Sequence, residues 1–163
     1  MFTVCGLPAS GKTTLARRIA HERRGVCFSA DAWILELFGP GLEVTALANS
    51  RESVWRQIWS VARRLIELEI DVVLDFSFYT REERARFRQL AHEVGARFRM
   101  IHLEASPELL LERLARRNRA LPPGTFSITP EQFAVLEASF EPPGADEAEI
   151  LTVRADVELV YGA

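Results

Sequence analysis

Lysine is almost missing from this chain. Lys12 is the only lysine among 20 basic residues, and the others are all arginine. Genomic base bias or a preference for heat-tolerant ion pairs produces such a skew. The one exception marks a position that needs a compact ammonium on a flexible stem, where a planar guanidinium is too bulky. Other scarcities bound the molecule. There are two cysteines, Cys5 and Cys27, both in apolar strand-like runs, which suit buried reduced thiols rather than a disulfide or a metal site. His21, His92 and His102 share no ligand spacing. No run of 18 apolar residues occurs, and Met1 is followed at once by strand-like sequence, so no membrane span or leader peptide is expected and the protein reads as cytoplasmic. A net charge of −3 and a pI near 5.7 argue against a global attraction to nucleic acid or membranes, so any basic patch must be local. The 163 residues, free of repeats and low-complexity tracts, suit one domain, 1–163, with a core of its own.

The lone lysine falls inside Gly6-Leu7-Pro8-Ala9-Ser10-Gly11-Lys12-Thr13-Thr14, which matches G-x-x-x-x-G-K-[ST] without exception. Phe2 to Cys5 run into it as a short apolar strand, and Leu15, Ala16, Ile19 and Ala20 follow at helical spacing. That context turns the motif into a phosphate-binding loop. Its glycines let the backbone fold round a triphosphate with N–H groups inward, and the helix starting there offers the positive end of its dipole. Lys12 would reach the β and γ phosphates of ATP, and Thr13 would hold Mg²⁺ through its hydroxyl. The plainer alternative is a Gly-Pro turn that caps a helix.

Taken in order, the chain alternates strand and helix. Gly25 closes the first helix, Val26 to Ser29 make a second strand, and Ala32 to Phe38 form a short apolar helix preceded by Asp31. Gly39-Pro40-Gly41 breaks the chain. A long helix from about Leu47 to Glu69 carries Val54, Trp55, Ile58, Trp59, Ala62, Leu65 and Ile66 on one face. Asp71 to Asp75 is a β-branched run ending in an acid, and a helix from Thr80 to Val94 opens with a Thr80/Glu83 capping box. Arg97 to Leu103 is the fourth strand. Ser106 and Pro107 open a helix that continues to about Arg119, and another spans about Pro130 to Ser139. Ile150 to Val153 and Val157 to Val160 supply the last strand material. Such alternation implies an α/β fold with a parallel sheet and helices on both faces.

The phosphate loop, Ser29-Ala30-Asp31, Val72-Val73-Leu74-Asp75-Phe76 and the Arg-rich stretch from Leu109 to Arg119 together resemble the small P-loop kinases. The zeta-toxin-like and polynucleotide-kinase-like phosphotransferases, described also as AAA-type ATP-binding proteins, are similar over nearly the whole chain. The resemblance implies a P-loop NTPase fold with a five-stranded parallel sheet in the order 2-3-1-4-5. It also implies an acceptor site above strands 2 and 3 and a mobile lid over about 113–129. One position departs from the pattern: polynucleotide kinases carry Arg three residues after the acid that follows strand 2, and here that place is Ile34. A nucleic-acid 5′-hydroxyl is thereby disfavoured as acceptor.

Each candidate residue has a structural alternative. Asp31 sits where open α/β sheets gather their ligands and could take the acceptor's proton, or it could simply cap a helix. Asp75 resembles a Walker B acid, holding Mg²⁺ or orienting the acceptor, and otherwise is a strand-end acid bonding a loop. By resemblance Arg113 and Arg117 belong to the lid, one covering the base and one stabilising charge on the transferred phosphoryl group; ordinary C-terminal capping needs fewer arginines. Trp55 and Trp59 share the apolar stripe and read as core, whereas Trp33 is a candidate wall for the acceptor. Among Arg81, Arg84, Arg86 and Arg88, spread round a helix like a solvated face, Arg81 alone is near enough to a strand end to meet substrate. Phe140-Glu141-Pro142-Pro143 is placed at the adenine edge.

Two classes of function follow. One is an ATP- and Mg²⁺-dependent kinase acting on a hydroxyl of a small molecule such as a nucleoside, sugar, nucleotide sugar or antibiotic-like metabolite. The other is a nucleotide-hydrolysing switch that acts through a protein partner, which usually carries extra elements for which 163 residues leave little room.

Overall fold

A computed structural model describes residues 1–39 and 44–154, with backbone alone over 44–49. Its elements run β1 (Phe2–Cys5), α1 (Lys12–Arg23), β2 (Val26–Ser29), α2 (Ala30–Phe38), α3 (Val44–Glu67), β3 (Val72–Ser77), α4 (Arg81–Glu93), β4 (Arg99–Glu104), α5 (Pro107–Arg119), α6 (Pro130–Ala138) and β5 (Ile150–Arg154). The strands pair in parallel in the order β2-β3-β1-β4-β5, as the resemblance implies. The strand material expected at Val157 to Val160 lies outside the described residues.

Parallel strands buried on both faces send alternate residues to opposite sides. Thus Val4, Val73, Ile101 and Leu103 pack with Leu15, Ala16, Ile19 and Ala20 of α1. Their neighbours Cys5, Val72, Leu74 and Met100 face the other way, joining Ile34 of α2, the stripe Val54, Trp55, Ile58 and Ala62 of α3, and Phe87 of α4. The heart of that second cluster is aromatic. Trp55 stacks on Phe76 at 5.0 Å, and Phe78 and Phe87 meet edge to face at 5.1 Å. Trp55 and Trp59 are therefore core, as their spacing predicts. Both cysteines are free thiols; burial pushes Cys5 up to about 12 and Cys27 up to about 11, which keeps them protonated and unreactive.

The helix caps follow the sequence closely. Thr80 and Glu83 complete the capping box of α4, and Ser106 accepts from the Leu109 N–H ahead of α5. Thr129 and Gln132 form a second capping box on α6 that was not anticipated. At the end of α1, Arg24 takes the left-handed conformation (φ 53°), and Gly25 is required for a different reason. A Cβ at Gly25 would collide with the Asp71 carbonyl, to which Val26 donates its N–H at 2.8 Å.

Arg84 is the main departure from the expected pattern on α4. It is not on a solvated face but is 2 % exposed, and its guanidinium forms a two-pronged bond with Glu147, Nε to Oε2 at 2.9 Å and Nη2 to Oε1 at 2.8 Å. Its remaining nitrogen, Nη1, donates to the Glu141 carbonyl at 2.8 Å. Glu147 also accepts from the Gly144 N–H at 3.0 Å, so one ion pair fastens the segment 141–147 to α4. A local charge pattern cannot separate Arg84 from Arg86 and Arg88, because Glu147 lies 63 residues away. Removing one partner leaves an unpaired buried charge. Arg84→Ala is expected to cost about 3–5 kcal/mol, whereas Arg84→Met with Glu147→Leu should recover most of it, as urea denaturation of the two variants will measure.

Candidate active site

The phosphate loop is built by close approaches that only its own residues permit. Gly6 has φ 134°, and a Cβ there would lie 2.5 Å from the Leu103 carbonyl oxygen of β4. Its N–H donates to the Ser77 carbonyl of β3 at 3.3 Å, so the loop is tied to both neighbours of β1. Ala9 and Gly11 are left-handed (φ 64° and 97°), turning the chain so that α1 starts at Lys12. Lys12 is 9 % exposed, and its Nζ donates to the Leu7 carbonyl at 2.7 Å, arching back over the loop. Burial lowers the ammonium pKa, opposed by the charges of Asp75 and Asp31. The Ser10 hydroxyl is buried without a hydrogen-bond partner among the described residues.

Thr13 Oγ1 donates to Asp75 Oδ2 at 2.6 Å, joining the first turn of α1 to the middle of β3. Asp75 was expected to close its strand; β3 instead continues to Ser77, and Asp75 is buried within it. Burial raises its carboxyl pKa, while the Thr13 bond and Lys12 pull it back. A hydroxyl and a carboxylate at this distance form the hard oxygen pair that Mg²⁺ takes from protein, the rest of its shell coming from water and phosphate. Among the described residues no group of three or more His, Cys, Asp and Glu side chains could hold a metal by itself. That suits Mg²⁺, which is seldom held in an all-protein cage.

Asp31 is not the helix cap. Helix α2 begins at Ala30, and Ser29 takes the cap by accepting from the Ala32 N–H at 3.4 Å. This frees Asp31, in the first turn, to face the cleft. Solvent reaches its carboxylate through the cleft, yet protein surrounds it closely enough to raise its pKa, with Asp75's charge adding to the rise and Lys12, Arg51 and Arg117 opposing it.

These groups share a cleft of about 550 Å³. Pro8, Ala9, Gly11, Lys12, Thr13 and Thr14 line its floor, and Asp31, Asp75, Arg113 and Arg117 line it with them. Gly6 and Ser10 stand behind the floor as structural members of the loop. Residues 120–128 roof the cleft: Arg117 Nη2 donates to the Phe126 carbonyl at 3.0 Å and Asn118 Nδ2 to the Ile128 carbonyl at 2.8 Å. Gly124 comes so near α2 that a Cβ would lie 3.0 Å from the Ala32 Cβ. Another, more open groove of about 680 Å³ runs along α4 beside Arg86, Gln89 and His92, and carries none of the motif residues.

Two expected substrate contacts do not reach the cleft. Trp33 packs edge-on against Phe28 at 6.1 Å on the flank of the core, since α2 turns Asp31 toward the cleft and Trp33 away from it. Arg81 is exposed and ion-paired with Asp146, its N–H donating to Glu141 Oε2 at 2.7 Å. Phe140 stacks on His102 at 5.6 Å and meets Tyr79 edge-on at 6.0 Å, outside the cleft lining. Conversely, Arg17, Ser77 and Tyr79 line the cleft without having been singled out, together with Ser29 and, from the span expected as lid, Arg116 and Phe126. Ser77 and Phe78 are left-handed in succession (φ 72° and 49°), a strained turn held by the aromatic core on one side and Gly6 on the other. Its only sequence signal was the aromatic run after Asp75. Tyr79 is half-buried, and this desolvation together with Asp31's charge raises its pKa and keeps it neutral.

With the loop, the paired oxygens and the roofed cleft in view, a family model described as an AAA domain matches residues 1–143. The chain belongs to the AAA domain family. Its fold is similar to that of a kinase candidate from Chloroflexus aurantiacus (21 % identity, 94 % of this chain and 86 % of that one, TM-score 0.73). A gluconokinase from Sinorhizobium meliloti is similar at 20 % identity over 97 % of this chain and 83 % of that one, with a TM-score of 0.68. Kti12 from Chaetomium thermophilum, solved with ADP-AlF3, is similar at 17 % identity over 97 % of this chain and 90 % of that one, with a TM-score of 0.71. No curated protein matches the sequence. No described helix of this AAA-family chain is long and apolar enough to cross a membrane.

Two outcomes test the site. Lys12→Ala is expected to leave the fold intact and to lose the thermal stabilisation that a non-hydrolysable ATP analogue gives wild type; Lys12→Arg should lose it too, because the arch to Leu7 has no room for a guanidinium. Asp31 carries a raised pKa, so the folded state holds its proton more tightly than the unfolded chain does. Stability is therefore lost as pH climbs from the ordinary carboxylate value through the raised one, and the cost stays constant above it. Asp31→Asn should raise the melting temperature of the ligand-free protein at pH 7 and flatten its decline across that window, as thermal melts across the pH series will read.

Proposed function

We propose that this protein is an ATP-dependent phosphotransferase that moves the γ-phosphoryl group to a hydroxyl of a small molecule. The observation that carries the proposal is Asp31: a carboxylate released from capping duty, facing the cleft opposite Lys12 and the Thr13–Asp75 pair. In this reading the loop N–H groups and Lys12 hold the β and γ phosphates, and Thr13 and Asp75 are the residues that would hold Mg²⁺. The metal, when bound, neutralises phosphate charge. Asp31 orients the acceptor hydroxyl and takes its proton, and its raised pKa brings it closer to the operating pH of a general base. Arg113 and Arg117 offer positive charge to the transferred group from the lid side. The kinase names among the structural neighbours favour phosphoryl transfer as the reaction class.

The roof favours a small acceptor. Residues 120–128 cover the cleft and Gly124 meets α2, so a compact alcohol is accommodated more readily than a polynucleotide strand. A nucleotide switch acting through a protein partner is the rival, and it needs no acceptor base. ATP turnover with and without a panel of alcohols, sugars and nucleosides separates the two. For a kinase, Asp31→Asn should lower acceptor-dependent transfer by roughly 10²-fold or more while analogue binding holds. A substrate-dependent rate that survives Asp31→Asn sinks the base assignment. Arg117→Gln should lower kcat by on the order of 10²-fold, with a smaller fall in ATP affinity.

A further inference from the structure

Arg17 is a cation in the cleft that the proposed chemistry does not use. It lies one turn after Thr13 on α1, and helix side chains lean toward the helix N-terminus, so it reaches back into the lining of the cleft that Ser29 and Asp31 also line. Helix α1 packs against β3 and β2, whereas Leu110 and Leu114 of α5 pack against Leu7, Ala9 and Ala105. Arg17 thus approaches from the β2 side, and Arg113 and Arg117 from the β4 side, with the phosphate loop between them. Its charge is felt at Asp75 and at Cys27 of β2, which agrees with that placement.

Arg63, Arg81, Arg86 and Arg88 each bond a carboxylate, and the adjacent Arg18 is paired with Glu22. Arg17, like Arg116 of α5 in the same lining, makes no hydrogen bond or ion pair among the described residues, and Arg17 alone of the two stands on α1. An uncompensated guanidinium at the acceptor margin suits an anionic group, which it can grip with two parallel N–H donors. We infer that the acceptor is an anionic alcohol, its carboxylate or phosphate held by Arg17 and its hydroxyl presented to Asp31.

The inference rests on the kinase reading and can fail without it. Inorganic phosphate is the probe, titrated by calorimetry into protein saturated with Mg²⁺ and a non-hydrolysable ATP analogue, so that the triphosphate subsite is already filled. Wild type should bind one equivalent of phosphate saturably, and Arg17→Gln at least tenfold more weakly, while Arg63→Gln behaves as wild type and analogue affinity is the same in all three. Equal phosphate binding by wild type and Arg17→Gln, or none by either, overturns the inference. So does a fall in analogue affinity in Arg17→Gln, which would make Arg17 a nucleotide contact. In the acceptor panel, a neutral alcohol preferred over its carboxylated counterpart overturns the inference and leaves the kinase reading standing. Failure of wild type to bind the analogue at all would overturn the kinase reading itself.

Discussion

The hydrogen bond from Thr13 to Asp75 ties the two halves of the site together. At 2.6 Å it fixes the first turn of α1 against β3, and it can form only if β1 and β3 are paired in parallel so that Val4 lies opposite Asp75. That register sets the height at which the phosphate loop leaves the sheet. The Gly6 N–H bond to Ser77 and its close approach to Leu103 hold the loop between β3 and β4. A bulge between Val4 and Cys5 absorbs the mismatch where the loop begins.

From that anchor the two sides of the cleft divide the work. On the β4 side, α5 carries Arg113 and Arg117 and is seated on the loop through Leu110 and Leu114. On the β2 side, Ser29 caps α2 so that Asp31 is free, and the strained Ser77-Phe78 turn brings Tyr79 under the same roof. The aromatic cluster of Trp55, Phe76, Phe78 and Phe87 is rigid enough to hold that turn in a conformation its residues would not choose. Packing energy from the core is thereby used to position the site.

Charge follows the same plan. Arg63, Arg64, Arg81 and Arg86 are exposed and pair with nearby carboxylates, and such pairs contribute little to stability. Three ionisable groups meet in the cleft: Lys12 and Asp75 are buried, and Asp31 is reached by solvent yet closely surrounded by protein. Burial weakens the charged form of each; Lys12 and the two carboxylates partly restore one another, while the charge of Asp75 weakens that of Asp31 further. A triphosphate entering such a site meets groups whose solvation cost has already been met by the fold.

The sequence by itself determined the local things: the phosphate loop, the alternation that makes a parallel sheet, the stripe on α3, the caps of α4 and α5, and the choice of Lys12, Thr13, Asp31 and Asp75 as candidates, which the fold gathers in one cleft. Each of these is written within a few residues, in spacing or in cap chemistry, and the order of the strands came through resemblance. Tertiary structure decided what depends on residues far apart. It buried Arg84 against Glu147, sent Arg81 to Asp146 and Trp33 to Phe28, relieved Asp31 of capping, and brought Arg17, Ser77 and Tyr79 into the cleft. An arginine reads the same in sequence whether it meets solvent, a buried glutamate or a substrate. Only the path of the chain through space fixes which of these lies within reach of its side chain.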